Sequence, residues 1–239
     1  MEELEVTGIV LNSIPYKEKD RLAHIFTVEL GNITVVMRGI SSPNAKNKFA
    51  AQPFCFGKFD LTKSHEFYVL KTAQLMDSFF DITSDYDIFK YCNSMLEICN
   101  SIMKPNIISE GLFLLLLKTL QNIVYNGIDY KLSVLKFYCD LLELIGYKLN
   151  FNICDNCNMS FIGNIKFDLR SGTFRCVNCS GGNVISNLDF TSLKIICSTP
   201  IDRLHTIKVN SEAIDRGLNL VLNNVSIRTS HKFKSIEIN

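Results

Sequence analysis

The sequence lacks a net excess of either charge. Its 25 lysines and arginines almost balance its 24 aspartates and glutamates, which leaves a formal net charge of +1. The balance holds within the first 80 residues, where nine basic residues stand against nine acidic ones. Global charge therefore neither supports nor excludes binding to nucleic acid, and a polyanion-binding surface would have to arise from local clustering of lysine and arginine.

Long hydrophobic runs and targeting segments are also lacking. The most apolar run, residues 111–117, lies between Glu110 and Lys118 and is far too short to span a bilayer. The chain begins with an acidic stretch rather than with the basic and apolar regions of a secretory signal. Since 47% of the residues are hydrophobic and 21% are charged, we expect an ordinary folded protein with a cytoplasmic location and no membrane partner.

Catalytic patterns are scarce. The histidines are scattered, and none belongs to an HExxH zinc-protease pattern. A GxxxxGK[ST] phosphate loop and a nucleophile elbow are absent, and neither CxxC pair has the proline and the H-x-E of a base deaminase. The sequence therefore predicts a protein that is not an enzyme.

The most specific pattern is a pair of CxxC motifs, formed by Cys154 with Cys157 and by Cys176 with Cys179. Two residues between cysteines allow a tight turn to direct both sulfurs at one metal ion, and the second motif supplies the other two corners of a tetrahedron. Zinc held by four thiolates has no open position for substrate, so the predicted site is structural. Two disulfides, a redox CxxC or chance are the alternatives. The segment between the motifs is rich in turn residues, with a hairpin-like run at residues 164–169.

The remaining five cysteines lie in apolar runs and are interpreted as small buried hydrophobic residues. An odd count of nine favours a reducing compartment over an oxidising one.

Residues 4–80 alternate between apolar and polar side chains in the manner of β-strands. We predict strands at residues 4–11, 22–28, 33–37, 54–61 and 66–76, with Gly8 at a bulge or a close approach and with the last two strands joined through His65. Five short antiparallel strands suit a small barrel of the oligonucleotide-binding (OB) kind, although an open sheet with one solvated side is the alternative.

From residue 85 onwards the apolar period changes to that of helices. We predict helices from residue 85 to Pro105, at residues 107–126 and at residues 130–145, and shorter ones at residues 188–197 and 211–222. Asn187 and Ser211 are the predicted N-caps of the last two helices, and a loose tail is expected from Ser226. The predicted fold class is α+β: an N-terminal five-stranded OB-type barrel (residues 1–80), followed by an α-helical domain (residues 81–239) that carries a four-cysteine zinc module at residues 150–184.

Basic residues of the barrel fall at strand ends and in loops, where they can follow a phosphate backbone. The predicted nucleic-acid contacts are Lys17, Arg21, Arg38, Lys46 and Lys48. Phe49, Phe54 and Phe56 could offer stacking surfaces nearby. The alternative is that the charges around Lys17 are merely solvated and that the phenylalanines belong to the core.

Several stretches resemble the bacterial recombination-mediator family RecO. They are residues 16–21 (YKEKDR), 26–31 (FTVELG), 37–40 (MRGI) with the polar loop that follows, and residues 141–149 (LLELIGYKL) leading into the first CxxC motif. In element order the resemblance covers nearly the whole chain.

The resemblance implies an OB domain and a helical domain with a zinc module. It also implies binding to single- and double-stranded DNA, annealing of complementary strands, action with RecR and with the C-terminal tail of the single-stranded DNA-binding protein, and help in loading RecA. By the same resemblance Arg38 matches a basic position of the family, Arg21 and Lys48 match more loosely, and the four cysteines of the CxxC motifs match the zinc ligands.

Two features depart from the family pattern. Ser171 and Gly172 stand where many relatives have a double glycine. Because the barrel is neutral, DNA affinity could depend on basic residues of the C-terminal part, namely Arg170, Arg175, Arg203, Lys208 and Arg216. A groove near residues 112–117 is a possible site for the acidic tail, with core packing as the alternative.

The sequence thus predicts a non-enzymatic DNA repair mediator. A protein-binding adaptor that does not bind DNA is the first alternative, and a zinc-ribbon RNA or translation factor is the second.

Overall fold

The N-terminal part forms a closed β-barrel. The structure, a computed structural model, describes residues 3–64, 67–105 and 107–237. Five strands make up the barrel: β1 (Glu3–Pro15), β2 (Arg21–Thr27), β3 (Gly31–Met37), β4 (Phe56–Ser64) and β5 (Phe67–Asp77). Their order around the barrel is β1-β2-β3-β5-β4 with β4 returning to β1, which is the arrangement of an OB-fold and confirms the predicted fold. His65, predicted in the β4–β5 connection, lies outside the described residues.

The alternation that predicts the strands also places the barrel core. Side chains two residues apart point to the same side of a strand, so Ala23 and Ile25 of β2 enter the interior together. Phe59 and Leu61 do the same from β4, and all four are fully buried. Burial of side chains of this kind contributes about 1.5–3 kcal/mol for each large residue.

Gly8 marks a close approach and not a bulge. A Cβ atom at this position would lie 2.7 Å from the Cγ2 atom of Ile25 and 2.8 Å from the carbonyl oxygen of Phe26. The irregularity in the β1–β2 pairing falls later, between Val10 and Asn12. Of the two predicted roles for Gly8, the close approach is therefore confirmed.

After the barrel, the described residues form five α-helices: α1 (Tyr86–Ile102), α2 (Glu110–Val124), α3 (Tyr130–Leu144), α4 (Asn187–Ser198) and α5 (Ser211–Thr229). The chain divides into two compact units after Leu114, so α2 begins in the first unit and ends in the second. None of the helices formed by the described residues combines the length and the apolar character needed to cross a membrane. Short 3-10 helices occur at Lys48–Ala51, Phe80–Ser84 and Ile201–Thr206.

The predicted N-caps of α4 and α5 are each wrong by one residue. Ser186 caps α4 by accepting a hydrogen bond from the Asp189 N–H, and Asn210 caps α5 by accepting one from the Ala213 N–H. In both places two capping residue types are adjacent in the sequence, so propensity alone cannot select between them.

The prediction of a loose tail from Ser226 is wrong, because α5 continues to Thr229. Val225 lies four and seven residues after Val221 and Leu218 on one helical stripe, and all three are buried. Beyond the helix, the Phe233 ring packs edge-on against Tyr138 at a centroid distance of 5.7 Å. The apolar stripe therefore carries α5 seven residues beyond its predicted end at residue 222.

A small sheet is inserted between α3 and α4. Its strands are β6 (Ile165–Asp168), β7 (Thr173–Cys176) and β8 (Asn183–Ile185), in the order β7-β6-β8. The hairpin-like run predicted at residues 164–169 is its first strand, β6, and the hairpin is completed by β7 beyond that run.

Candidate functional site

The two CxxC motifs meet in one cluster. The sulfur atoms of Cys154, Cys157, Cys176 and Cys179 all lie within 4.8 Å of one another. The Cys154–Cys179 and Cys157–Cys176 separations are both 3.7 Å, and the Cys176–Cys179 separation is 3.5 Å. All four are free thiols, so the paired disulfides considered from the sequence are not formed.

Short-range hydrogen bonds shape both turns. The Asn158 N–H donates to the carbonyl oxygen of Cys154 over 2.9 Å, and Asn158 adopts a left-handed conformation with φ of 59°. In the second motif the Cys179 N–H donates to the carbonyl oxygen of Cys176 over 3.2 Å. A hydrogen bond of 3.1 Å from the Asp155 N–H to the Phe174 carbonyl oxygen then joins the first turn to β7.

The cluster fits a tetrahedral metal ion with four thiolate ligands. Zinc–sulfur bonds of about 2.3 Å in a tetrahedron place the sulfurs about 3.8 Å apart, close to the separations seen here. Burial raises the pKa of Cys154, but N–H groups of Cys176, Cys157 and Asn156 stabilise its thiolate more strongly and lower the pKa to about 6. The Met159 N–H lowers the pKa of Cys157, yet the crowded sulfurs of Cys154, Cys179 and Cys176 raise it to about 12. Four thiolates at this spacing repel one another, so a divalent cation is needed to hold them together in the ionised form.

Aromatic packing and an ion pair support the module. The Phe174 ring lies 4.9 Å from Phe151 and 5.0 Å from Phe190, measured between centroids. Arg175 pairs with Asp168 at 2.8 Å, and both side chains are largely buried. The aromatic cluster and the ion pair therefore fix the segments that carry the cysteines.

The other five cysteines differ from the cluster. Cys55, Cys92, Cys99 and Cys139 are buried, as predicted, while Cys197 is partly exposed. Burial, with a contribution from Asp77, raises the pKa of Cys55 to about 12, and burial raises that of Cys92 to about 12. These two thiols are protonated at neutral pH and are poor metal ligands.

Two loops of the barrel meet beside the predicted nucleic-acid contacts. The Gly39 N–H donates to the Asp20 carboxylate over 2.8 Å, and the Ser41 N–H donates to the Lys19 carbonyl oxygen over 3.0 Å. The turn between β1 and β2 is thereby tied to the loop that follows β3. Lys17 belongs to the first segment and Arg38 to the second, so the structure places them at one end of the barrel.

We name the five predicted contacts the basic barrel end: Lys17, Arg21 and Arg38, which lie at this junction, and Lys46 and Lys48, which follow in the loop after β3. Lys17, Arg38 and Lys46 are exposed. Arg21 is half-buried, and its guanidinium donates to the hydroxyl (2.7 Å) and the carbonyl oxygen (2.5 Å) of Ser13. Lys48 is exposed and donates to the Pro43 carbonyl oxygen over 2.5 Å. Across residues 3–64, 67–105 and 107–237 none of the five forms an ion pair, so their charges are not neutralised by a carboxylate.

The phenylalanines considered for stacking belong to the core. Phe54 is fully buried and packs edge-on against Phe89, with centroids 5.9 Å apart. Phe56 lies against Phe113 at 6.3 Å, and Phe49 packs on the barrel core. Tyr16 is instead an exposed aromatic residue in this region, and its place near Lys17 and Lys19 in the sequence could have identified it.

The basic residues of the second unit are partly neutralised. Arg175 pairs with Asp168, and Arg216 pairs with Asp189 at 2.9 Å. Arg170, Arg203 and Lys208 are exposed. Two of the five residues that the sequence offers for DNA binding in this part are thus occupied by structural ion pairs.

The leucine-rich segment at residues 112–117 is mostly core. Leu112, Phe113, Leu115 and Leu116 are buried, whereas Leu114 is 43% exposed. Core packing, the alternative to a tail-binding groove, therefore accounts for most of this segment.

Comparison with known proteins identifies relatives along the whole chain. The family description "Recombination protein O N terminal" matches residues 1–79, and "Recombination protein O C terminal" matches residues 83–237. The chain is 28% identical over 207 residues to a DNA repair protein RecO of Clostridium acetobutylicum, covering 85% of this chain and 83% of the relative. It is 26% identical over 233 residues to that of Clostridium novyi, covering 97% and 91%, and 25% identical over 240 residues to that of Clostridium perfringens, covering 100% and 98%. These three relatives are all named for DNA repair.

Proposed function

The chain belongs to the RecO family of DNA repair proteins, and on this premise we propose that it binds single- and double-stranded DNA through the basic barrel end. We further propose that it promotes annealing of complementary strands and helps to load RecA on protein-coated single strands. The observation that carries the proposal is the junction between the β1–β2 turn and the loop after β3. That junction gathers exposed cations without carboxylate partners beside the β1–β2 turn of an OB-type barrel, and the loop between the first two strands is one of those with which such barrels bind oligonucleotides.

The proposed binding is electrostatic and largely independent of sequence. Lysine and arginine neutralise phosphates and release condensed counterions, so affinity falls as salt rises. Arg38 and Lys17 contact phosphates directly, while Arg21, held by Ser13, contributes a fixed positive charge. Two strands held at one protein surface pair by their own base complementarity, which supplies the specificity.

Zinc is the proposed ion of the cysteine cluster. Cys154, Cys157, Cys176 and Cys179 would hold it with all four positions filled by protein, so its contribution is to stabilise the module. A role for zinc in contacting DNA is not part of the proposal.

The proposed partners follow from family membership. They are RecR and the C-terminal tail of the single-stranded DNA-binding protein, and DNA as the substrate implies a cytoplasmic location at the bacterial nucleoid. We further propose that the functional division is that of an OB domain (residues 1–80) and a helical domain (residues 81–239) with the zinc module at residues 150–184.

Annealing of complementary oligonucleotides coated with single-stranded DNA-binding protein tests the proposal. We expect acceleration by this protein that fades as salt is added and that is reduced in the Arg38→Ala variant. Lys58→Ala is the matched control, because Lys58 lies on β4 and is paired with Glu5 at 3.0 Å. If folded protein neither binds DNA nor accelerates annealing, the proposal is wrong and a protein-binding adaptor takes its place.

A further inference from the structure

Tyr16 is an exposed aromatic ring at the end of β1. Its side chain is 43% exposed, although it follows a strand whose centre is fully buried. The ammonium group of Lys17 lies 5.4 Å from the centre of the Tyr16 ring. A cation and an aromatic surface are thus adjacent at the tip of the hairpin, and these are the two groups that bind successive parts of a single-stranded nucleic acid.

The backbone that carries Tyr16 is held in place. The Tyr16 N–H donates to the carbonyl oxygen of Asp20 over 3.0 Å, which closes the turn. The same turn is tied to the next loop through Lys19 and Asp20, as described above. A ring on a fixed backbone loses little conformational entropy when a ligand stacks on it.

Exposure alone does not distinguish Tyr16, because Tyr86 is 78% exposed and also has a lysine over its ring. That lysine, Lys90, is already paired with Asp87 at 2.6 Å. Lys17 forms no ion pair with any residue of the described ranges, so its charge is available to a phosphate. The combination at Tyr16 therefore suits a nucleotide, and the combination at Tyr86 does not.

We propose that Tyr16 is a stacking platform for a nucleobase of single-stranded DNA, with Lys17 neutralising the neighbouring phosphate. The inference rests on the proposed function and adds a preference for unpaired bases. In a duplex both faces of a base are covered by its neighbours, so a ring at the hairpin tip can stack only on a single strand. Tyr16 would thereby favour binding to the single strands that annealing consumes over binding to the duplex that annealing produces.

Oligothymidine and an abasic oligonucleotide of the same length separate stacking from charge, since both carry the same phosphates. We expect Tyr16→Ala to bind oligothymidine about tenfold more weakly. Its affinity for the abasic chain and its salt dependence on both ligands should equal those of the unaltered protein. Tyr16→Phe should retain the affinity, and Tyr86→Ala is the control for loss of an exposed tyrosine.

If Tyr16→Ala lowered the affinity for both oligonucleotides equally, or lowered it for neither, the stacking role would be overturned. The affinity of the unaltered protein for the abasic oligonucleotide tests the proposed function separately. Binding to that oligonucleotide that weakens with salt requires phosphate contacts but no bases. Absence of binding to both ligands by the unaltered protein would overturn the two proposals together. A melting temperature for Tyr16→Ala within about 2 °C of the unaltered protein shows that the variant is folded, as expected for a surface substitution.

Discussion

The backbone N–H of Gly39 donates a hydrogen bond to the side chain of Asp20 across 2.8 Å. This contact joins two loops that are separated by strands β2 and β3 in the sequence. Asp20 therefore has two opposing effects at the basic barrel end: its oxygen organises the loop that begins with Arg38, and its negative charge repels phosphate.

Substitution of Asp20 separates these effects. Asp20→Asn keeps an oxygen acceptor and removes the charge, so we expect DNA affinity at low salt to rise about twofold, which corresponds to unit charges about 8 Å apart in water. Asp20→Ala removes the charge and the acceptor, so its affinity should fall below that of Asp20→Asn. Fluorescence anisotropy with a labelled oligonucleotide measures both. Equal affinities for the two variants would show that the hydrogen bond does not organise the loop.

Arg38 is expected to act on DNA and not on stability. Because its side chain is exposed and unpaired within the described residues, Arg38→Ala should leave the melting temperature nearly unchanged. The slope of log affinity against log salt on single strands should become shallower by about 0.7, the loss of one phosphate contact. Lys58→Ala should change neither quantity. A marked drop in melting temperature for Arg38→Ala would make Arg38 a structural residue.

Loss of one cysteine from the cluster should release the metal. We expect Cys176→Ser to contain no zinc by elemental analysis, whereas the unaltered protein and the control Cys197→Ser contain one ion per chain. The free energy of unfolding should fall by about 3 kcal/mol, which lowers the melting temperature by about 10 °C. Zinc-free unaltered protein that is folded and as stable as the zinc-bound protein would contradict a stabilising metal.

Gly172 is expected to be intolerant of a side chain. It has a φ of 63°, and a Cβ atom there would lie 2.5 Å from the Oδ1 atom of Asn224 and 2.6 Å from a guanidinium nitrogen of Arg228. Arg228 is itself fixed, because it stacks over the Tyr147 ring at 4.9 Å and donates to the Arg170 carbonyl oxygen. Gly172→Ala should therefore lower the free energy of unfolding by about 3 kcal/mol, from backbone strain together with the clash.

Gly163 provides the matched control for this substitution. It has a similar φ of 75°, and nothing lies within 4 Å of its added Cβ atom. Gly163→Ala should lower the free energy of unfolding by only about 1 kcal/mol, the cost of the left-handed backbone. Chemical denaturation of both variants measures the difference, and equal losses would show that the contacts with Asn224 and Arg228 do not matter.

Sequence patterns predicted the features that depend on local periodicity or on spacing. The alternation through Ala23 and Ile25 is a property of one strand, and the two residues between Cys154 and Cys157 define a turn whatever the rest of the chain does. The barrel and the convergence of the four cysteines could therefore be predicted before the structure.

Features that depend on distant residues were missed. Phe54 is adjacent to a basic loop in the sequence, but Phe89 of α1 packs on it and makes it core. The end of α5 was placed too early because several asparagines near residue 222 conceal the stripe that continues to Val225. Asp168 and Asp189, which pair with Arg175 and Arg216, likewise belong to other elements, and only the fold shows that these two ion pairs form.

The barrel closes through a parallel contact between β3 and β5, in which Val35 pairs with Tyr68 and Val36 with Val69. This contact joins segments that are distant in sequence, whereas β1 and β2 pair along a hairpin. Hairpins form early and distant pairings form late. Of the two distant pairings, β1–β4 extends over seven residue pairs and β3–β5 over only two pairs of the described residues, so the β3–β5 contact should be the last part of the barrel to assemble and the first to open. Hydrogen exchange at Val36 should accordingly be faster than in the β1–β2 hairpin. Because β3 leads directly into Arg38, each such opening would also release the start of the loop for which we propose DNA binding.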